Sequence, residues 1–264
     1  MSVEPSTLSV IVITKNEAHH LRQCLRSVPF ADEWIVVDHG STDGTPALAR
    51  ELGARVIETA DWPGFGVQKQ RALDAARCDW VLCLDADEWL SDSLASAVRE
   101  ALAAPENIQA NGFELSRLSA FCGQWMRAGA WYPDHGVRLV RRGHANFSAD
   151  LVHERLLVQG RIRRLPGLLL HDSIRTLESA IDKMNRYSTG RARDHVARGR
   201  RGSVGRALLH GLWAFVRTFI VKRGFVDGRL GLVLAILEAE GTYHRYLKMW
   251  LGDVAERPLP PPRV

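Results

Sequence analysis

The sequence predicts an α/β protein with a mostly parallel central sheet, helices on both faces of that sheet, and a basic helical extension at the C-terminus. Three observations support this class. Short β-branched runs alternate four times with helical periodicity in about the first hundred residues. Acidic residues cluster where those runs end, and a helical, basic pattern begins at Ile174.

The first element is the run LSVIVIT (8–14), whose weak polar alternation is typical of a buried parallel strand. The strands that follow are predicted within EWIVVDHGSTDGT, ARVIET and DWVLCLDADE. Helical spacing lies between them, and one helix should open at Thr45-Pro46. Ser91 is expected to cap the next helix. From about residue 112 the pattern changes to strand-like pieces, which predict an antiparallel extension of the sheet.

The composition is that of a folded protein, with 264 residues, 46% hydrophobic and 25% charged. This length suffices for one α/β domain with an extension. No run of eighteen apolar residues lacks a charge, and the N-terminus lacks a basic n-region. We therefore expect neither a transmembrane helix nor a secretory signal. The four cysteines lack C-x-x-C spacing and are expected to be free thiols in a reducing compartment, with no zinc site.

Three polar clusters follow predicted strands: Thr14 to Glu17, Asp38 to Asp43, and Asp85 to Glu88. Ligands bind at the carboxyl ends of such strands, so these clusters predict one shared site. Asp85 and Asp87 point to the same side of an extended chain and could hold one Mg²⁺ or Mn²⁺ ion. The alternative is a helix cap formed by Asp87 or Ser91. Neither a G-x-G-x-x-G turn nor a P-loop is present, so those nucleotide sites are excluded.

Three segments, LSVIVITKNE, WIVVDHGSTDGT and DWVLCLDADEWL, resemble in order and spacing the nucleotide-sugar-binding half of family 2 glycosyltransferases of the GT-A fold. This resemblance covers about residues 7 to 105. VHE, the later LLLH and the ending RGFVDGRLGLVLAILEAEGTYHRYLK resemble the lipopolysaccharide-core β-glucosyltransferase subgroup. The resemblance implies an inverting hexosyltransferase that uses Mg²⁺ or Mn²⁺. It would move glucose from a UDP-sugar to a lipopolysaccharide-core or other lipid-linked, phosphorylated glycan.

The same resemblance assigns roles to residues. The implied nucleotide contacts are Thr14, Asn16 and Glu17 (base and ribose), Asp38 (base), Lys69 and Asp85. His39 stands where the family often has a second acid or a serine. The D-x-D motif, Asp85 and Asp87, would hold the metal, and His171 is either a third ligand or a structural histidine.

An attacking sugar hydroxyl needs a general base. Glu154 fits the family position best and Asp150 is second, although Glu154 could instead be a surface acid paired with Arg155. His153 could position the base or the acceptor. The stretch AGAWYPDHGVRLVRR offers Trp131, Tyr132, Asp134 and Arg138 for contact with a sugar; ordinary core packing is the alternative for the two aromatic residues.

We predict a catalytic domain over 1–172, divided into a nucleotide-sugar half (1–105) and an acceptor half (106–172). A helical extension over 173–255 and a disordered tail over 256–264 follow. Between Lys183 and Arg223 eleven Lys or Arg residues face one acid, Asp194. This charge either forms a solvated helix face or attracts phosphate-bearing partners. The helix after Val204 would accordingly lie on a membrane surface or pack on the catalytic domain.

We expect a cytoplasmic protein, peripheral on the inner face of the bacterial inner membrane. No nucleic-acid-reading motif accompanies the basic charge. Two other functions could use the same acidic clusters and basic extension. A nucleotidyltransferase of similar fold would need a glycine-rich, basic loop after the first strand, where Lys15-Asn16-Glu17 stands. A non-catalytic membrane-docking module would have no need of four acids near one phosphate site.

Overall fold

The computed structural model of the chain describes residues 5–103, 110–148 and 155–252. The strands are β1 (Leu8–Thr14), β2 (Glu33–Asp38), β3 (Arg55–Glu58), β4 (Trp80–Asp85), β5 (Glu88–Leu90), β6 (Gly112–Phe121), β7 (Gln124–Trp125), β8 (Asp134–Arg141), β9 (Ala145–Phe147), β10 (Leu156–Val158) and β11 (Ile162–Ile174). The helices are α1 (Ala18–Arg26), α2 (Thr45–Glu51), α3 (Phe65–Ala75), α4 (Asp92–Ala103), α5 (Leu177–Ala197), α6 (Val204–Val216) and α7 (Gly228–Leu251). The tail predicted over 256–264 lies outside the described residues.

The central sheet has the strand order β3-β2-β1-β4-β8-β6-β11-β5, with β7 paired to β6. The first four strands are parallel to one another, whereas β8 is antiparallel to both β4 and β6. β5 is antiparallel to β11, and β9 and β10 form a separate hairpin. The predicted antiparallel extension of a parallel sheet is therefore confirmed.

The parallel strands are buried on both faces, as their near-continuous apolar runs predict. In β1, Leu8, Val10 and Val12 belong to a core that also holds side chains of α1, α2 and α4. The intervening Ile11 belongs to a second core that contains Ala72 and Leu73 of α3. Helices consequently cover both faces of the sheet, and the predicted fold class is confirmed.

Local signals in the sequence set several helix boundaries. Thr45 and Pro46 open α2, since the fixed φ of proline suits the first turn of a helix. Ser91 caps α4, with its hydroxyl accepting the N–H of Leu94 at 3.3 Å. The capping alternative raised for the acidic cluster thus applies to Ser91 and leaves Asp87 available for another role.

The chain divides into two compact units. The first comprises residues up to Leu118 together with Pro133–Asp172, and the second comprises Ser119–Tyr132 together with residues from Ser173 onward. The segment Ser119–Tyr132, which the sequence placed in the acceptor half, therefore groups with the helical unit.

The second unit has its own apolar core, which includes Phe121, Met126, Ile174 and Leu234. α6 continues into a π-helical turn (Arg217–Val221), and a 3₁₀ turn (Gly224–Asp227) precedes α7. The buried carboxylate of Asp227 accepts the backbone N–H groups of Arg127 and Ala128, both at 2.9 Å. These bonds join the segment after β7 to the start of α7.

One described helical segment, Val204–Val221, is long and apolar enough to cross a membrane by length and composition alone. Its mean hydropathy is 1.3, and 17% of the segment is buried. The segment contains Arg206 and Arg217, and because of such charges no spanning helix was predicted from the sequence.

Candidate active site

The strand register brings the predicted polar clusters to one edge of the sheet in the first unit. Thr14 lies opposite Asp38 in the β1–β2 pair, and Ile13 lies opposite Asp85 in the β1–β4 pair. The carboxyl ends of three parallel strands therefore meet, as the sequence predicted. We refer to this edge as the carboxyl rim.

Asp38 is a structural centre of the carboxyl rim. Its side chain is buried and accepts hydrogen bonds from the hydroxyl of Thr14 (2.8 Å) and from the backbone N–H and hydroxyl of Ser41. These bonds compensate the burial of the carboxylate and fix the turn after β2. The predicted contacts of Asp38 and Thr14 with a base stay predictions.

The loops after β1 and β2 are joined by side-chain hydrogen bonds. Asn16 has a left-handed backbone (φ 58°), a conformation that asparagine tolerates better than most residues. Its N–H donates to the hydroxyl of Ser41, and its Oδ1 accepts the N–H of Thr42, both at 2.7 Å. Asp43 accepts the N–H of Ala18 at the start of α1 (3.1 Å). The exposed Asn16 is thereby held in one orientation at the carboxyl rim.

The carboxylate of Asp85 lies between two cations. Lys69 Nζ is 2.8 Å from Oδ1, and the Arg138 guanidinium is 3.2 Å from Oδ2. Burial opposes the charged form of Asp85, but Lys69 and then Arg138 outweigh it and hold its pKa well below the usual range. Lys69 itself is largely buried. Asp85 is therefore a fixed anion.

Arg138 also binds Glu88, whose side chain is fully buried. The guanidinium is 2.7 Å from Glu88 Oε1, and Glu88 Oε2 accepts the backbone N–H of Asp85 at 3.0 Å. Burial acts against the charge of Arg138, yet Glu88 and Asp85 raise its pKa above the usual range. Lys69, Asp85, Arg138 and Glu88 form what we call the buried ion network.

A further pair extends this network. Arg117 on β6 lies 3.2 Å from Glu88 Oε1 and donates to Asp134 at the start of β8 (2.7 to 2.9 Å). Asp134 and Arg138, predicted to contact a sugar, are thus engaged with other side chains of the same unit. Their contact with a sugar stays a prediction.

Asp87 lies next to His171. Asp87 Oδ2 is 3.2 Å from His171 Nε2, because β5 pairs with β11 and sets His171 opposite Glu88. The backbone carbonyl of Asp87 also accepts the N–H of Asp172 (3.0 Å). The two residues of the D-x-D motif therefore have different partners: Asp85 has two cations, and Asp87 has a histidine.

Glu17 lies near Asp87 and forms a short chain of contacts. Its carboxylate is 2.9 Å from His20 Nδ1, and His20 Nε2 is 3.5 Å from Asp172 Oδ2. Burial raises the pKa of Glu17, the His20 hydrogen bond partly offsets this effect, and the negative charge of Asp87 adds to it. The carboxyl rim beside Asp87 is therefore rich in acids.

The next feature is how well these side chains are suited to bind the expected Mg²⁺ or Mn²⁺ ion. Within the described ranges, no group of three or more His, Cys, Asp or Glu residues is arranged to hold a metal. Asp87 and His171 nonetheless offer a carboxylate oxygen and an imidazole nitrogen side by side. Mg²⁺ and related ions often take one or two carboxylates and complete their shell with water and substrate phosphates. The residues fit such a partly protein-bound ion, with Asp85 already held by Lys69 and Arg138.

Other predicted residues lie elsewhere. Asp150, His153 and Glu154, the candidates for the base and its neighbour, fall outside the described residues, and their roles stay predictions. Trp131 and Tyr132 belong to the second unit. There Trp131 packs edge-on against Phe121, with ring centroids 5.8 Å apart, as the core-packing alternative expects.

No role was predicted from the sequence for Glu88, Arg117, His20 or Asp172. Alternation along the strand that carries Glu88 could have shown that this acid faces the interior. The partners of Glu88 could not have been found in that way, because Arg117 and Arg138 are 29 and 50 residues distant in the chain.

Comparisons with known proteins agree with this architecture. Residues 9–113 match the model of the family described as Glycosyl transferase family 2. An uncharacterized glycosyltransferase of Rickettsia typhi is 31% identical over 253 residues, which cover 92% of this chain and 86% of that protein. The lipopolysaccharide core biosynthesis glycosyltransferase LpsC of Rhizobium meliloti is 30% identical over 252 residues, with coverage of 90% and 93%.

One solved structure to which part of the chain is similar is glucosyl-3-phosphoglycerate synthase of Mycobacterium tuberculosis, crystallised with Mn²⁺, UDP and phosphoglyceric acid. It is 28% identical over 43% of each chain, with a TM-score of 0.35.

The α/β sheet with its acidic carboxyl rim and the similarity along nearly the whole chain define an enzyme that transfers a glycosyl group. The chain belongs to glycosyltransferase family 2.

Proposed function

We propose that this glycosyltransferase moves a hexose, glucose, from a UDP-sugar to a lipopolysaccharide-core or other lipid-linked glycan, with inversion and with the help of Mg²⁺ or Mn²⁺. The observation that carries the proposal is the placement of Asp87 beside His171 at the carboxyl rim, next to the buried ion network. This arrangement supplies metal-binding atoms and fixed charges where a sugar diphosphate would lie in a parallel α/β sheet.

The two acids of the D-x-D motif would have separate tasks. Asp87 and His171 would hold the ion, which supplies positive charge to a leaving diphosphate. Asp85 is kept anionic and immobile by Lys69 and Arg138. It would orient the donor rather than change its own protonation state. Charges fixed before the reaction need no rearrangement as the leaving group develops charge.

The acceptor hydroxyl would lose its proton to a carboxylate, with Glu154 as first candidate and Asp150 as second. A general base of this kind typically contributes about 10²- to 10⁴-fold to the rate. A single displacement by that hydroxyl breaks the anomeric C–O bond on the opposite face. It thereby converts an α-linked donor into a β-linked product and releases a nucleoside diphosphate.

A lipid-linked acceptor is supported by the name of the relative LpsC and by the surface of α6. Leu208, Leu209, Leu212 and Trp213 are each more than half exposed on this helix. Arg206 lies in the first turn of α6, and Arg201 and Arg217 flank the helix. An apolar face with basic neighbours is suited to the interface of an anionic membrane. We therefore infer a peripheral location on the cytoplasmic face of the inner membrane.

The test is a panel of nucleotide sugars incubated with Mg²⁺ or Mn²⁺, an acceptor glycan, and the wild-type or Asp87→Asn protein. Nucleoside diphosphate release should be metal-dependent and specific for one donor. The Asp87→Asn variant should lose at least about 100-fold, since a bound metal contributes several kcal/mol and each 1.4 kcal/mol is about tenfold. Asp182→Asn, which removes an exposed acid of α5, should retain full activity.

Three results would count against the proposal. The wild type could turn over no donor, or Asp87→Asn could keep its metal-dependent activity. Release of pyrophosphate from a nucleoside triphosphate would instead indicate the nucleotidyltransferase alternative.

A further inference from the structure

The second unit contains a basic cleft whose lining includes Arg201 and Arg206, two of the basic residues near the start of α6. It has a volume of about 440 Å³ and lies among the end of α5, the loop that follows it, α6 and α7. Its polar lining consists of His195, Arg200, Arg201, Arg206, His210 and Tyr246. This volume falls within the usual range for a small-molecule site, roughly 300 to 1,000 Å³.

The loop that carries Arg200 and Arg201 is held against α7 by a glycine. A Cβ atom at Gly202 would lie 2.1 Å from the carbonyl oxygen of Tyr246, so only glycine allows this approach. The N–H of Arg200 donates to the carbonyl of His195 (3.0 Å), and Ser203 caps α6 through the N–H of Arg206. The arginines therefore stand on a defined backbone beside the cleft.

The arginines that line the cleft have no paired acid within the described part of the chain. No carboxylate there forms an ion pair with Arg200, Arg201 or Arg206. The Nε atom of Arg245 is buried without a hydrogen-bond acceptor, while its guanidinium lies 5.1 Å from the centre of the Tyr246 ring. Burial lowers the pKa of His195, and the charges of Arg245, Arg200 and Arg198 lower it further, although Asp194 opposes them. Such a cluster attracts an anion.

We propose that this cleft binds a phosphate group, carried either by a lipid headgroup or by a soluble phosphorylated ligand. Guanidinium groups match phosphate oxygens through paired N–H donors. Two aromatic rings of the same lining, those of His210 and Tyr246, stack with centroids 4.4 Å apart and planes 6° apart. They offer aromatic contact to the sugar or glycerol moiety attached to the phosphate. The inference is independent of the donor chemistry proposed for the carboxyl rim.

The experiment uses the full chain and two kinds of probe, a soluble phosphate compound and phospholipid vesicles. Isothermal titration measures binding of inorganic pyrophosphate. Sedimentation measures binding to vesicles of phosphatidylcholine alone or of equal parts phosphatidylcholine and phosphatidic acid. Arg200→Gln/Arg201→Gln is compared with Arg191→Gln/Arg193→Gln, which removes the same charge from exposed positions of α5 outside the cleft.

The cleft variant should weaken phosphate binding by at least about tenfold, because hydrogen bonds to charged groups are among the stronger ones. The control should bind like the wild type. If the cleft variant loses binding in both assays, or loses pyrophosphate binding alone, the result supports the site and indicates a soluble phosphorylated ligand as one source of the phosphate. Loss confined to phosphatidic-acid vesicles supports the site and indicates a lipid headgroup.

The proposal would be overturned if the wild type bound neither pyrophosphate nor phosphatidic-acid vesicles. An equal loss of binding in Arg191→Gln/Arg193→Gln would also overturn it, because that result would indicate diffuse charge attraction. Should the cleft variant fail to fold, NMR of the wild type decides. Pyrophosphate must then shift the ring resonances of His195 and His210, and unchanged resonances would refute the site.

Discussion

Replacing Arg138 by methionine would test the buried ion network directly. Arg138 is the shared partner of Asp85 and Glu88, and its side chain is 16% exposed. Methionine keeps an unbranched apolar chain of moderate length but removes all five guanidinium donors. The substitution therefore takes away the cation while it leaves both carboxylates in place.

The size of the effect follows from what the two carboxylates retain. Removal of one partner from a buried ion pair typically costs about 3 to 5 kcal/mol. In this variant Asp85 keeps Lys69 at 2.8 Å, and Glu88 keeps Arg117 at 3.2 Å and the backbone N–H of Asp85. Because neither acid is left without a partner, we expect the lower end of that range, about 3 kcal/mol of unfolding free energy.

The effect should also depend on pH. The folded pKa of Asp85 is depressed, so its contribution to stability is present above the unfolded value, about 3.9, and is lost as the pH falls below it. Arg138→Met should raise the folded pKa of Asp85 and shrink this contribution. The difference in stability between the two proteins should therefore be largest near neutral pH and narrow below about pH 4.

Urea unfolding followed by tryptophan fluorescence, at pH 7 and at a series of lower pH values, measures this difference. Arg164→Met is the matched control, because Arg164 pairs with Glu114 at 3.1 Å but is 53% exposed. That pair should contribute between about 0 and 1 kcal/mol. If Arg138→Met cost no more than Arg164→Met, or if its cost grew as the pH fell, the reasoning would be wrong.

Two further predictions concern the packing around Gly202 and the burial of Cys83. Gly202→Ala should lower the thermal midpoint of the second unit, because the added Cβ would collide with the Tyr246 carbonyl. Gly205→Ala is the control, since the added Cβ would meet open space and should not lower the midpoint; differential scanning calorimetry measures both variants. Cys83 should resist thiol reagents in the folded protein while the half-buried Cys78 reacts, since burial raises the pKa of Cys83 to about 12; equal labelling rates at pH 8 would contradict this.

Much of the parallel half of the fold could be predicted, because its signals are local. A strand such as LSVIVIT is recognised by composition, and the order of strand and helix restricts the topology to a parallel sheet. The meeting of Thr14, Asp38 and Asp85 then follows from the rule that parallel strands share one carboxyl edge. The register confirms that these residues lie on neighbouring strands.

The partners of those residues could not be predicted, because they depend on long-range pairing. β8 enters the sheet beside β4 in antiparallel register and brings Arg138 to Asp85 across 53 residues of chain. β11 similarly delivers His171 to Asp87 only through its pairing with β5. The sequence therefore indicates which acids gather at the carboxyl rim, but not which partner each acid has.

This pairing bears on how a D-x-D motif works in this chain. Two adjacent carboxylates that both faced one ion would repel each other when the ion is absent, and each pKa would rise. The fold avoids that cost for Asp85 by supplying Lys69 and Arg138, which keep it charged whether or not an ion is bound. Asp87 lies next to His171 and to the acidic Glu17, and its described contacts include no Lys or Arg side chain. The site should therefore gain its largest electrostatic stabilisation at Asp87 when a cation arrives, which makes Asp87 the more sensitive position of the motif.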